Sequence, residues 1–528
     1  MISYGYDGKL VTSETFSGTL NKTLGYTYNN DFNITGFTYA GSTTNYTYDN
    51  DGLLIGAGSF TISRNAGNGL PEDVTNSALT LTRTFNGYGE VSDESYTVSG
   101  QGITSWVLAR DNNGRINNKA ETVAGISSNY VHTYDSMGRL LTVTKDGVLV
   151  EEYGYDENGT RVYEMNTLRG IAARSFSYDA EDHLLTVDAV NYQYDLDGFL
   201  TTRTNGADVT TYDYSSRGGL LSVSLPDNRF IEYVHDPLWR RIAKKVNGSI
   251  VEKYLWQGLT RLLAVYDGSN NLLMRFEYAD ARMPVAASIA GATYYLTYDQ
   301  VGSLRIVANA SGSVVKRIDY DSFGNIVADS NPAFIIPFGF AGGFYDIDTG
   351  HVRFGYRDYD PDIGRWTAKD PLLFEGEDTD LYGYVLNDPV NLIDPWGLEG
   401  YWPTDSQTVT SPFGPRGGGP HTGTDLRNPK GNSAYATDNG TVILLRKDKK
   451  GGNQIKILND DGSVSGYAHT HWVDGLKMGD KVNAGDVIGS SDDSGSGKPH
   501  LHFTYRLCET CPKIDPETNK LWDAEPCH

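Results

Sequence analysis

A recurring Tyr-Asp-x-x-Gly step constrains this chain more than any other feature. It occurs as YDNDGLL from Tyr48, YDSMGRLL from Tyr134, YDENGTR from Tyr155, YDLDGFL from Tyr194, YDQVGSL from Tyr298 and YDSFGNI from Tyr320, with YDAEDHLL at Tyr178 as a degenerate copy. Neighbouring copies fall about 21 to 22 residues apart, the spacing of a repeat array. Within a unit, alternating segments such as LLTVTKDGVLVEEYGY make strands with tyrosines on one face. Aspartate caps the turn with its side chain, and glycine accepts the positive φ. One hairpin cannot bury its face alone, so neighbouring units must stack. The expectation is an all-β fold, and 528 residues are too many for one core.

After the last clear repeat comes RFGYRDYDPDIGRWTAKDPLLFEGEDTDLYGYVLNDPVNLIDPWGL, Arg353 to Leu398. With the repeats, this segment resembles the YD-repeat proteins of the Rhs family. It is similar to their core terminus, R-x-Y-D-P-x-x-G-R-[FW] followed by D-P, L-Y-x-Y-x-x-N-x-P and D-P-x-G-L. The resemblance implies a β shell with a variable toxin after the leucine. At two strands per unit, residues 1–398 supply about 36 strands, or ~170 Å of ladder. A cargo of about 130 residues is ~36 Å across. One open turn of sheet would go round it, but a sealed shell would not form. The start, MISYGYDGKL, enters the pattern midway and has no signal-peptide character, so a longer parent protein is expected.

The same resemblance implies self-cleavage between Leu398 and Glu399 by paired aspartates. Asp370 in KDPLL and Asp394 in IDPWGL are the candidates, and Asp358, which follows Arg357, is a rival partner. Two carboxyls held together cannot both ionise, so one serves as acid while the other activates water. Asp-Pro pairs also simply initiate turns.

Beyond Glu399 the repeats stop, and short strands with glycine turns suggest a compact antiparallel β domain. Six of the ten histidines lie from His421 onward. In HTGTD, His421 and Asp425 share a strand face, as do His500 and His502 in HLHF. Two histidines and a carboxylate form a recurring catalytic Zn2+ set with a fourth position for water. The ordered motifs F-G-x-R, H-x-x-x-D, Y-x-H and H-L-H are similar to the lysostaphin-type zinc metalloendopeptidases of bacterial cell walls. That resemblance makes His421, Asp425 and His502 the zinc ligands, and His469 and His500 the catalytic pair. His471, two residues from His469 and on its face if the strand continues, either lines the cleft rim or substitutes for His469. Cys508, Cys511 and Cys527 in the tail suit a disulfide, a second zinc site or free thiols.

The expected organisation is a YD-repeat shell over 1–352, a core-associated terminus over 353–398 and a zinc metalloendopeptidase over 399–528. The net charge is −23, and all but about −3 of it belongs to the first 398 residues, which argues against nucleic acid as a partner. No run of about 18 apolar residues suggests a membrane span. The resulting expectation is a secreted effector acting in a target cell's periplasm or cell wall. Its substrate would be peptidoglycan peptides, with a cognate immunity protein and secretion-system components as partners. The alternatives are a non-catalytic cell-wall-binding domain on a YD-repeat protein, and a YD-repeat adhesin.

Overall fold

The computed structural model describes residues 1–398 except 9 and 372–379. Of the remainder it describes 409–411, 414–416, 419–421, 424–426, 428, 430–437, 440–448, 452–459, 464–473, 475–482, 486–491, 500–506 and 525–526. From Ile2 to Asp329 the chain forms a 32-stranded antiparallel sheet in which each strand pairs with its neighbours in sequence.

The repeat residues each have a visible task. Asp135 Oδ1 accepts the backbone N–H groups of Met137 at 2.9 Å and Arg139 at 3.0 Å, which closes the turn around Gly138 with its φ of 94°. Asp156 does the same for Asn158 and Thr160. The tyrosine hydroxyls reach back one hairpin: Tyr134 donates to the Ile116 carbonyl at 2.6 Å, Tyr155 to Leu140 at 2.8 Å and Tyr178 to Arg161 at 2.7 Å. These Tyr-Asp copies thus close their own turns and tie them to the preceding one, whereas the buried Tyr320 hydroxyl of the YDSFGNI copy makes no such bond.

A register shift occurs at the tyrosine itself at Tyr48, Tyr134, Tyr155, Tyr178, Tyr194, Tyr298 and Tyr320. Bulges increase local twist and bend a strand, so a bulge repeated at this period curls the ribbon. The curl is tighter than the open turn expected from strand counting. Tyr39 donates to the Phe276 carbonyl at 2.6 Å, Trp106 Nε1 donates to the Tyr298 carbonyl at 3.2 Å, and the Thr104 and Thr297 hydroxyls meet at 2.6 Å. Buried ion pairs fasten the same overlap, Arg83 with Asp280 at 2.8 Å and Arg305 with Glu121 at 2.9 Å. The ribbon therefore lies over itself. Its ladder is about 150 Å long rather than ~170 Å, because the strands stop at Asp329.

Residues 330–371 and 380–398 form a turn-rich plug around a four-stranded sheet of Phe344–Tyr345, Val352–Phe354, Arg357–Asp360 and Arg365–Trp366. Its core of Phe340, Phe354, Tyr359, Trp366 and Tyr384 is fully buried. The plug packs into the ribbon: Ile363 joins the cluster of Phe176, Leu200 and Leu220, and Val390 joins Trp106, Leu140 and Tyr153. Tyr382 donates to the Gly198 carbonyl at 2.7 Å.

The C-terminal domain has a seven-stranded sheet that includes Thr424–Leu426, Leu501–Arg506, Val464–Ala468 and Gly452–Asn459, over a core of Leu426, Ile455, Ile457, Tyr467, Leu501 and Phe503. A three-stranded sheet of Ser433–Tyr435, Val487–Ser491 and Thr470–Trp472 accompanies it. Among the described residues no helix is long and apolar enough to cross a membrane.

Candidate functional sites

In the C-terminal domain, Asp425 and His502 sit directly opposite each other on paired strands, and Ala468 pairs with His502 from the other side. Strand alternation sends Leu501 and Phe503 into the core and turns His502 towards Asp425. His502 Nδ1 lies 2.8 Å from Asp425 Oδ1, and His500 Nε2 lies 3.4 Å from the same oxygen. The His469 ring centroid is 4.6 Å from that of His500 and 6.1 Å from that of His502. His469 has a φ of 59° between the strands Val464–Ala468 and Thr470–Trp472. A left-handed non-glycine residue costs of order 1 kcal/mol or more and is found where a side chain must be aimed. Here it brings the buried His469 ring against the other two histidines.

Donor atoms on one tetrahedral zinc ion lie about 3.3 Å apart. Of the expected ligands, His502 Nδ1 and Asp425 Oδ1 stand 2.8 Å apart, close enough to face one ion, and an imidazole beside a carboxylate is the donor chemistry zinc takes. His421 ends a strand, Gly419–His421, that pairs with Gly414–Arg416; its side chain lies outside the described residues. His471 is exposed on Thr470–Trp472 and pairs with Ser490. Cys508, Cys511 and Cys527 also lie outside the described residues.

The second site is the junction. Arg357 Nη2 lies 2.7 Å from Asp370 Oδ2 and 3.2 Å from Asp394 Oδ2, and all three side chains are buried. Arg357 Nε donates to the Gly397 carbonyl at 2.6 Å, and its guanidinium stacks 4.2 Å above Trp366. Asp394 Oδ1 accepts the N–H groups of Trp396 and Leu398, each at 3.2 Å. Burial pushes the Asp394 carboxyl up to about 6 against the pull of Arg357, and Asp370 adds to the rise. Backbone contact holds the segment in place: Tyr356 N–H donates to the Trp396 carbonyl at 2.7 Å. A Cβ at Gly397, whose φ is 64°, would stand 2.4 Å from the Phe354 carbonyl.

The rival Asp358 belongs to another cluster. Arg241 and Arg353 bond its two oxygens at 2.9 and 2.6 Å, and they outweigh burial to hold its carboxyl below the usual range. Arg357 is the residue that sequence reading undervalued, as it entered only as the neighbour of Asp358. Alternation along Arg357–Asp360 is the signal, since it sends these two adjacent residues to opposite faces.

A curled YD ribbon closed by its own terminus defines a shell protein, and here it carries a small β domain with a carboxylate–imidazole cluster. Residues 1–390 match the Teneurin YD-shell family, and the chain belongs to it. Residues 419–516 match Peptidase family M23, so an M23 domain follows the shell. Teneurin-3 of Danio rerio is 30% identical over 421 residues, which is 74% of this chain and 15% of the teneurin. The chain thus spans about a seventh of the curated teneurins it matches. Double-stranded DNA deaminase toxin A of Burkholderia cenocepacia is 27% identical over 338 residues, covering 58% of this chain and 23% of the toxin. Among solved structures, the Photorhabdus luminescens Tc holotoxin pore with a TccC3 mutation superposes with a TM-score of 0.53 at 17% identity, over 71% of this chain and 21% of that one. The lysostaphin catalytic domain of Staphylococcus simulans is 31% identical over 22% of this chain and 90% of its own, with a TM-score of 0.19.

Proposed function

We propose that the chain is an Rhs-type toxin whose M23 domain is a zinc endopeptidase for peptidoglycan cross-link peptides. The observation that carries this reading is the convergence of Asp425, His502, His500 and His469 in an M23 domain placed after a YD shell. The match to a Burkholderia toxin supports the toxin assignment. An immunity protein, secretion components and action in a target periplasm or cell wall follow from the same reading.

His421, Asp425 and His502 would hold the ion. Zinc supplies Lewis-acid polarisation of a scissile carbonyl and a lowered pKa for water. His469 and His500, packed ring against ring, take a proton from the attacking water and return it to the leaving amine.

At the junction, Asp370 is the closer carboxylate to Arg357 and stays ionised as base. Asp394, fully buried, keeps its proton and serves as acid. Water then adds across the Leu398–Glu399 bond, leaving a carboxyl on Leu398 and an amine on Glu399. Arg357 positions both aspartates and the Gly397 carbonyl.

The deciding experiment is digestion of purified peptidoglycan by the full chain, with and without chelator, followed by amino-group release. Chelator-sensitive release of new amines supports the endopeptidase. Binding to peptidoglycan without release would favour the non-catalytic cell-wall-binding alternative.

A further inference from the structure

Most carboxylates buried in the shell and plug have a cation at hand. Glu94 has Arg83, Glu121 has Lys119 and Arg305, Glu164 has Arg174, Asp346 has Lys244, Asp358 has Arg241 and Arg353, and Asp380 has Arg365. Glu151 and Asp388 depart from this pattern. Glu151 is 2% exposed, and its Oε2 accepts only neutral donors, the Tyr153 hydroxyl at 2.6 Å and the Ser322 N–H at 3.2 Å. Asp388 is 6% exposed, and both its oxygens accept from the Asn391 amide, at 2.7 and 2.9 Å. An ionised carboxylate kept from water without a cation is costly, and the ordinary outcome is that it takes up a proton.

Both groups lie where the end of the chain's shell meets its middle. Ser322 belongs to the turn after Val314–Tyr320, so Glu151 joins that last ribbon turn to the strand Val148–Tyr155. In the same turn Asp321 is buried, accepts from Asn166 at 2.9 Å and from Asn325 at 2.8 Å, and has Arg169 3.8 Å away. Asn391, which holds Asp388, also accepts the Ile116 N–H at 2.6 Å and donates to the Tyr134 hydroxyl at 2.9 Å. Asp388 therefore steadies the side chain that pins the plug to two ribbon strands.

We propose that this seam is a proton-operated latch, in which the last ribbon turn and the plug stay closed on residues 116–166 while the Glu151–Asp321 pair and Asp388 hold protons, and loosen when those protons leave. The surroundings agree. Around Glu151 and Asp321 stand Tyr130, Tyr153, Tyr359, Glu164, Arg161 and Arg169; burial raises both carboxyls, the charge of Asp321 adding to the rise at Glu151 and that of Glu164 to the rise at Asp321, where Arg169 opposes it. Around Asp388 stand Asn391, Arg115 and Tyr155; burial pushes its carboxyl up to about 7. A carboxyl raised on folding keeps its proton in the closed state and releases it on opening. Closure is therefore tightest near pH 4 and weakens as pH rises to about 7, with the opening constant growing up to about tenfold per pH unit for each proton released.

The test is hydrogen exchange on the full chain from pH 5.5 to 7.5, with rates divided by the intrinsic amide rate at each pH. Peptides covering 148–166, 320–326 and 385–398 should open at least tenfold more readily at the upper end, while peptides within 249–267 should not change. Glu151→Gln and Asp388→Asn keep size and remove the titrating proton, and each should flatten that dependence by about one proton, the double variant leaving only the contribution of Asp321. An unchanged slope in the double variant, or no slope in the parent chain, would overturn the latch.

Discussion

Asp394 Oδ1 accepts the backbone N–H of Leu398 at 3.2 Å, which sets the carboxyl expected to donate a proton beside the residue whose carbonyl carbon would be attacked. Asp394→Asn should leave only intact chain, and so should Asp370→Asn, while the parent chain yields fragments starting at Met1 and Glu399. Since Asp394 is pushed up to about 6 and acts protonated, cleavage during cell-free synthesis should slow as pH rises through 6, by about tenfold per unit. Intact-mass spectrometry of samples made at pH 5.5 and 7.5 reads this directly. Faster cleavage at 7.5 would reverse the acid and base roles.

Gly397 carries a second expectation for the same site. Its φ of 64° and the 2.4 Å approach of the Phe354 carbonyl leave no place for a methyl group. Gly397→Ala should push the junction off Arg357 and cut the cleavage rate by 100-fold or more, since a displacement of about 1 Å at a reacting group costs that much. Cleavage at the parental rate would mean that the junction docks in another way.

At the histidine cluster, two variants separate holding the ion from using it. His502→Ala removes a proposed ligand and should lose both bound zinc and hydrolysis. His500→Ala should retain zinc and lose at least 100-fold in hydrolysis. Metal content by atomic emission, alongside peptidoglycan digestion, distinguishes them. Equal zinc in the parent chain and His502→Ala would remove His502 from the ligand set.

The Tyr155 hydroxyl ties its turn to the Leu140 carbonyl. Tyr155→Phe deletes that one bond and should cost about 1 kcal/mol. Exchange protection of 140–160 should fall by about fivefold, with little change in the M23 domain. No loss of protection would mean that the tyrosines act through packing alone.

The local grammar of the shell was legible because its causes are local. Asp135 caps a turn whose glycine is three residues away, and Tyr134 reaches one hairpin back. The strand total was overestimated because the Asp-Pro segments after Asp329 are plug and not ladder. The self-overlap was hidden for a different reason. It depends on bulges at the tyrosines and on pairs such as Arg305 with Glu121, 184 residues apart, which no pattern in one repeat announces. At the M23 site the spacing of His500 and His502 placed both rings near Asp425, whereas the left-handed backbone of His469 has no signature in GYAHT. At the junction the motif gave the aspartates, and only the fold shows that Arg357 brings them together.

The final prediction concerns whether shell and peptidase part after cleavage. The shell carries about −20 and the residues after Leu398 about −3, so net charge gives no attraction between them. The plug already packs on the ribbon, with Ile363 and Val390 among ribbon side chains. Among the described residues one backbone ladder joins the two parts, Leu392–Ile393 with Glu525–Pro526; two residues of ladder contribute on the order of 1 to 2 kcal/mol, by itself too little to hold fragments together at micromolar concentration. The cleaved pieces should therefore separate on size-exclusion chromatography without denaturant, while Asp394→Asn elutes as one species. Co-elution after demonstrated cleavage, persisting in high salt, would show that the shell grips or encloses its peptidase through surfaces other than this ladder.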